Sequence, residues 1–176
     1  GLLRRQRQMC IRDSFKVEHS FNKESNLSFN FFGLDAQRNS IGFRSNRVSQ
    51  IDPLQERDLI KGDFKNFGAE IRWLKSYYLG KKKSVFLIGS KYYKSNNTSI
   101  QGPGSSKSDA DFNLYLVDFP NYNQQSNYNY PNKNVAFFSE NIFYLSSKLS
   151  ITPGIRFEFI ETSSFGEYSK INTDAA

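Results

Sequence analysis

The sequence predicts an all-β chain: an antiparallel up-and-down meander of about six strands, forming an incomplete piece of a transmembrane β-barrel. Three observations carry that prediction. Residues 149–160, "LSITPGIRFEFI", place Leu149, Ile151, Pro153, Ile155, Phe157 and Phe159 on one side of an extended chain, against Ser150, Thr152, Gly154, Arg156 and Glu158 on the other. A strand between lipid and water has this two-residue rhythm. Aromatic residues make up 16% of the 176 residues, too many for a disordered chain, although mean hydropathy is only −0.63. Finally, short and long connections alternate along the chain. In a meander this puts every tight turn at one end and every long loop at the other, the asymmetry of outer-membrane barrels.

Six segments read as strands, all favouring β-branched or aromatic residues over strong helix formers: 15–21, 27–36, 62–78, 84–94, 135–145 and 149–161. Within the third, Phe67, Ala69, Ile71 and Trp73 alternate with Gly68, Glu70 and Arg72. The fifth is ambiguous, because the adjacent Glu140 and Asn141 put one polar group on each face. Between the strands, 22–26, 79–83 and 146–148 are short, whereas 37–61 and 95–134 are expected as long loops. Loops of that length are uncommon in soluble domains. The longer segments match the roughly nine to eleven residues that cross hydrocarbon at a tilt. Trp73, Tyr77, Tyr78, Tyr92, Tyr93, Phe143 and Tyr144 fall near strand ends, where an aromatic girdle would meet the membrane interfaces.

No run of 18 apolar residues occurs, so no transmembrane helix is expected, which says nothing against barrel strands. The formal charge is +7, with Arg4, Arg5, Arg7 and Arg12 in the first fourteen residues. That opening, "GLLRRQRQMCIRDS", shows neither strand alternation nor a signal-peptide core, and its "QMCIRDS" resembles a translated sequencing-adapter tail. Residues 1–14 are therefore expected to be non-native, and 15–176 to be the partial barrel. The alternative is a basic arm for nucleic acid. Cys10 lies in this tail, so the remainder offers neither a disulfide framework nor a thiolate metal site.

Candidate chemistry is thin. His19 is the one histidine and has no second histidine at metal spacing, and no Ser–His–Asp or Cys–His set is apparent. No enzyme, catalytic residue or metal site is expected. "GPGSSKS" (102–108) lacks the glycine before lysine and the helix context of a phosphate loop, and reads as a flexible external loop. "SDADFN" (108–113) offers Asp109 and Asp111 without a full calcium-loop pattern. "NLS" (26–28) and "NNTS" (96–99) match glycosylation acceptors, which would carry meaning in a eukaryotic secreted protein. "GKKKS" (80–84) reads as a solvated turn near lipid headgroups. "FPNYNQQSNYNYPNKN" (119–134) mixes tyrosine with amides that can stack on and hydrogen-bond to bases or sugars; the lack of a basic stripe argues against nucleic acid.

"VAFFSENIFYLSSKLSITPGIRFEFIET" (135–162) resembles the strand–turn–strand of TonB-dependent outer-membrane receptors, in which a phrase like L-T-P-G-x-R-[YF]-E follows a short turn. Here Ile151, Thr152, Pro153, Gly154, Ile155, Arg156, Phe157 and Glu158 occupy it. Residues 17–43 and 97–114 resemble a hairpin and a loop of the ferric-dicitrate and siderophore branch, especially its Bacteroidetes-like members. The resemblance implies a parent receptor in the bacterial outer membrane with a large barrel and an N-terminal plug, importing a ferric chelate with energy transmitted by the TonB complex. No plug or TonB box is identifiable in this sequence. Lipid and lipopolysaccharide are the implied surroundings, and a small-molecule iron chelate is the implied ligand, with no cofactor held by the wall itself. Ferric chelates are usually anionic, so Arg38, Arg44, Arg47 and Arg57 of the 37–61 connection are the candidate ligand contacts. The rival readings are a porin-like barrel segment and a soluble secreted β-sheet module that binds carbohydrate.

Overall fold

The computed structural model describes residues 5–43, 49, 51–106, 111–122 and 124–170. Eight strand segments follow one another: β1 (Arg5–Asn22), β2 (Ser25–Gly42), β3 (Asp58–Leu79), β4 (Lys82–Pro103), β5 (Gln124–Tyr144), β6 (Ser150–Ile151), β7 (Gly154–Thr162) and β8 (Phe165–Lys170). No helix occurs among the described residues. All pairings are antiparallel between chain neighbours, in the order β1-β2-β3-β4-β5, with β6, β7 and β8 all on the far side of β5. Those last three are pieces of one strand. Phe143 faces Ile151, Glu140 faces Gly154, and Asn129 faces Phe165 with no slip in register. Across the first gap the Asn141 amide donates to the Pro153 carbonyl (2.9 Å), and across the second the Ser163 amide donates to Pro131 (3.1 Å). Proline, which has no N–H to give, is tolerated on this edge.

The predicted meander is thus present, and all three tight turns lie at one end. In the two-residue β3–β4 turn, Gly80 takes φ +64°, a conformation that glycine adopts at no steric cost. The β1–β2 turn is closed by Asn22, whose side chain accepts from the Glu24 amide (2.8 Å). At the third, Leu145 and Ser146 donate to the Leu149 carbonyl.

Strand length differs from the sequence reading. β3 and β4 each run for 22 residues and β5 for 21. Half of the expected 95–134 loop is therefore strand, with 104–123 left as connection, and 37–61 shrinks to 43–57. The cause is chemical. "KSNNTSI" and "QSNYNYPNK" are polar on both faces, so apolar alternation disappears while the backbone ladder continues. At about 3.3 Å per residue such a strand reaches roughly 70 Å, about twice what hydrocarbon requires. Residues 5–14, set apart above as a tail, continue β1 and pair with Phe32–Ile41. An edge strand pairs through its backbone, so this defines the segment's conformation and leaves its origin aside.

The sheet is open. Among the described residues, β1 and the β6–β8 strand each have a single neighbour. Its small buried core sits at the long-loop end, where Ile41 and Leu59 pack against Phe112 and Leu114. Gly102–Ser105, expected as a flexible loop, is buried there. A side chain at Gly104 would collide with Ile41, 2.5 Å from its Cδ1.

Candidate functional site

Unbroken register between β2 and β8 assigns each paired strand residue of that span to a face. On one face, direct partners run Val17–Phe29–Ile71–Ser90–Phe137–Phe157. The next rows add Phe15, Leu27, Phe31, Phe67, Ala69, Trp73, Phe86, Ile88, Tyr92, Val135, Ile155 and Phe159. This face is exposed rather than packed into a core: Ile151, Ile155 and Phe157 are 52%, 57% and 65% exposed. Along β3 the band runs from Phe67 to Tyr77, a rise of about 33 Å along the strand, or roughly 23 Å of height at a tilt near 45°. The apolar belt of an outer-membrane barrel is about 25 Å tall.

The band's lower edge carries polar-tipped aromatics. Trp73 Nε1 donates to Ser25 Oγ (2.9 Å), and the Tyr77 hydroxyl donates to Asn141 Oδ1 (3.0 Å). Phe143 shares this face, since it pairs through Ser84 with Tyr77. Tyr92 sits at the upper edge with its ring 6.2 Å from that of Phe67. Tyr78, Tyr93 and Tyr144 fall on the opposite face by register, although the sequence reading grouped them with the girdle.

That opposite face is polar and is paved with rings laid over glycines. Phe32 lies across its partner Gly68 and Phe138 across its partner Gly89, so a Cβ at either glycine would meet ring carbon at 2.4–2.5 Å. Cations rest on these rings. The guanidinium carbons of Arg72 and Arg156 stand 5.8 and 5.7 Å from the Phe138 centroid, and Lys91 Nζ stands 5.5 Å from that of Phe32. Each guanidinium also has a carboxylate: Glu70 for Arg72 (2.6 Å) and Glu158 for Arg156 (3.0 Å). Asn134 Nδ2 donates to Glu158 as well (2.7 Å). A recess of about 530 Å³ is lined by Glu70, Arg72, Lys91, Phe138, Glu140 and Arg156. Both of its guanidiniums are already paired with carboxylates.

The candidate ligand arginines are separated. Arg38 lies on the polar face of β2, exposed, with no ion-pair partner among the described residues. Arg57 is buried at 1% exposure in the outer connection. Its guanidinium pairs with Asp52 (2.5 Å) and lies over the Phe43 ring (5.4 Å), so it fastens the connection. Arg44 and Arg47 lie outside the described residues. Asp52 is held below the ordinary carboxylate range, first by Arg57 and then by the Leu54 amide. Of the calcium candidates, Asp109 lies outside the described residues. Asp111 accepts from Asn113 and from the Tyr115 hydroxyl. Among the described residues no group of three or more His, Cys, Asp or Glu could hold a metal ion.

The ring-over-glycine pairs were missed in the sequence. Their signal exists, as isolated glycines inside strand patterns, but the partner strand that explains each one is known only from register.

No protein-family model matches the chain, and no curated protein matches it. Among solved structures it is similar to one titled "Crystal structure of ferric citrate transporter FecA in the unliganded form". The TM-score is 0.62 at 12% identity, over 92% of this chain and 24% of that one. The chain therefore spans about a quarter of that transporter's length, and the likeness is one of fold: an antiparallel sheet like part of a transporter barrel.

Proposed function

We propose that this chain is a segment of the wall of an outer-membrane transporter of the TonB-dependent kind, with its apolar face to lipid and its ring-paved face to an aqueous lumen. The exposed apolar band, in register across every strand, carries this reading. Six strands with two open edges cannot stand alone in hydrocarbon, where each unpaired backbone group costs several kcal/mol. Further strands must flank β1 and the β6–β8 strand. The FecA likeness supports the same reading and makes a ferric chelate the first candidate cargo. The outer connections would face the medium, and a plug engaging the TonB complex would fill the lumen. The wall recognises and conducts, and no catalytic step is assigned to it.

Adjacent cysteines test the two faces. In the complete protein, with Cys10→Ser as background, Phe157→Cys should react with a lipophilic maleimide, and Glu158→Cys with a membrane-impermeant one. Recovery in the soluble fraction, or equal labelling of both sites by the impermeant reagent, would refute the reading. Ferric citrate uptake that stops when the proton gradient is collapsed would support energised transport; uptake indifferent to the gradient would favour a passive pore.

A further inference from the structure

Above the apolar band, the polar face carries a recess of about 310 Å³ whose lining the transporter reading leaves unused. Its floor is aromatic. Phe64 folds back over Gly62, and a Cβ at Gly62 would sit 3.2 Å from the ring, so the ring lies flat where a side chain would stand. Tyr130 forms one wall, stacked on Tyr128 with centroids 5.9 Å apart and planes at 19°. Arg38 stands on the other side, in register with Gly62, Ser99 and Tyr128, so that Tyr130 lies three strands across and two residues along from it. At about 4.8 Å per strand and 3.3 Å per residue, that leaves roughly 16 Å between the two backbones, enough for one six-membered ring between the side chains. Short polar groups of Asn97 and Ser99 line the ground between them.

From this arrangement we infer a binding site for an acidic sugar, a pyranose ring with one carboxylate. The flat Phe64 ring and the Tyr130 wall fit the apolar C–H faces of a sugar ring. Amides and hydroxyls at the rim match vicinal hydroxyls. Arg38, without a carboxylate partner among the described residues, supplies the planar fork for one carboxylate. A flat arene would use the floor but few of the rim groups. A multiply charged chelate would want several cations, and this recess has one. The inference goes beyond the transporter reading but relies on its placement of this face in an outward vestibule.

The probe is trigalacturonate, observed by saturation-transfer NMR and titration calorimetry on the complete protein in detergent, with its methyl ester and ferric citrate as comparators. Saturable trigalacturonate binding is expected, weakened at least tenfold by Phe64→Ala or Tyr130→Ala. Arg38→Gln should remove the preference for acid over ester while leaving ester binding intact. No saturable trigalacturonate binding, binding unchanged in all three variants, or binding of ferric citrate alone would overturn the inference. Ser99→Cys in the Cys10→Ser background separates this failure from that of the transporter reading. Labelling from outside intact cells by an impermeant maleimide, without sugar binding, sinks the sugar site alone. Labelling only after lysis sinks the orientation as well.

Discussion

The lower and upper halves of this sheet share one backbone ladder and carry opposite sequence signals. Below, in β3, Phe67, Ala69, Ile71 and Trp73 project to one face and Gly68, Glu70 and Arg72 to the other. Above, in β4, Lys94, Asn96 and Thr98 continue the apolar column of Phe86, Ile88 and Tyr92, while Ser95, Asn97 and Ser99 continue the other. Pairing with β5 runs through both halves without a slip. Apolar alternation in this chain therefore marks one height on the sheet and not the extent of the strand. Hydrogen bonding extends the strand through both halves, and under the transporter proposal the medium on each side decides which residues line it.

The sharpest way to break that comparison is to put the same charge on the same face at two heights. Ile71→Lys, in the middle of the band, should destabilise the complete protein in bilayers by about 2–4 kcal/mol, as lysine does near a bilayer midplane. Asn96→Lys, higher on the same face, should lie within about 0.5 kcal/mol of wild type. Reversible urea unfolding in lipid vesicles measures both. Equal costs at the two sites would remove lipid as the cause of the pattern.

A somewhat smaller effect separates the two faces. Gly68→Ala drives its Cβ to 2.4 Å from a Phe32 ring carbon and 2.8 Å from the Tyr92 carbonyl oxygen. The ring can turn aside but the backbone cannot, so about 1–3 kcal/mol should be lost. Gly33→Ala on the apolar face meets nothing nearer than 3.8 Å and should be neutral to within about 0.5 kcal/mol. Thermal unfolding followed by heat-dependent gel mobility would rank the two. If Gly33→Ala proved the costlier, the paved-wall account would be wrong.

How much of this was readable in the sequence follows from the same contrast. The exposed apolar band was legible because Ile155, Phe157 and Phe159 alternate with Arg156 and Glu158 within a few residues. The upper strands were hidden, since asparagine, serine and tyrosine on both faces leave no period to detect and resemble a loop. Phe32 over Gly68 was also hidden, because the residues that meet lie on different strands and register alone joins them. Arg57 read as a candidate ligand contact in a long loop. Its partner Asp52 is only five residues earlier, but the fold of the outer connection buries the pair, and local sequence does not display that fold. Arg38 read as a loop residue and lies instead in strand β2.

At the band's lower margin the expected loss is smaller again. Ser25→Ala removes the acceptor for Trp73 Nε1, one hydrogen bond worth about 1 kcal/mol. Trp73 is the chain's one tryptophan, so its emission reports the site directly. The variant should shift the emission maximum while leaving the two-face labelling pattern unchanged. An unmoved spectrum would show that Trp73 does not hold this contact at the interface.

The smallest effect belongs to the outer connection and should be local. Leu54 adopts φ +53°, unusual for a non-glycine residue, and its amide donates to Asp52 Oδ1 (3.0 Å) while Arg57 holds the other carboxylate oxygen. The folded-state pKa of Asp52 is depressed, so the stabilisation from this contact is complete above the carboxylate's unfolded value near 4 and is lost as pH falls through the lower folded value. Arginine stays charged throughout, so the loss comes from the aspartate. Hydrogen exchange, corrected for the intrinsic pH dependence of amides, should show Leu54 protected at pH 7 and released at pH 2.5. The amides of Ile71 and Ile88, deep in the ladder, should stay protected at both. Asp52→Asn should expose Leu54 at both pH values and abolish the difference. Protection of Leu54 that persists at pH 2.5 would mean that the segment is held by the Ile41–Leu59 packing beneath it and that the ion pair is incidental.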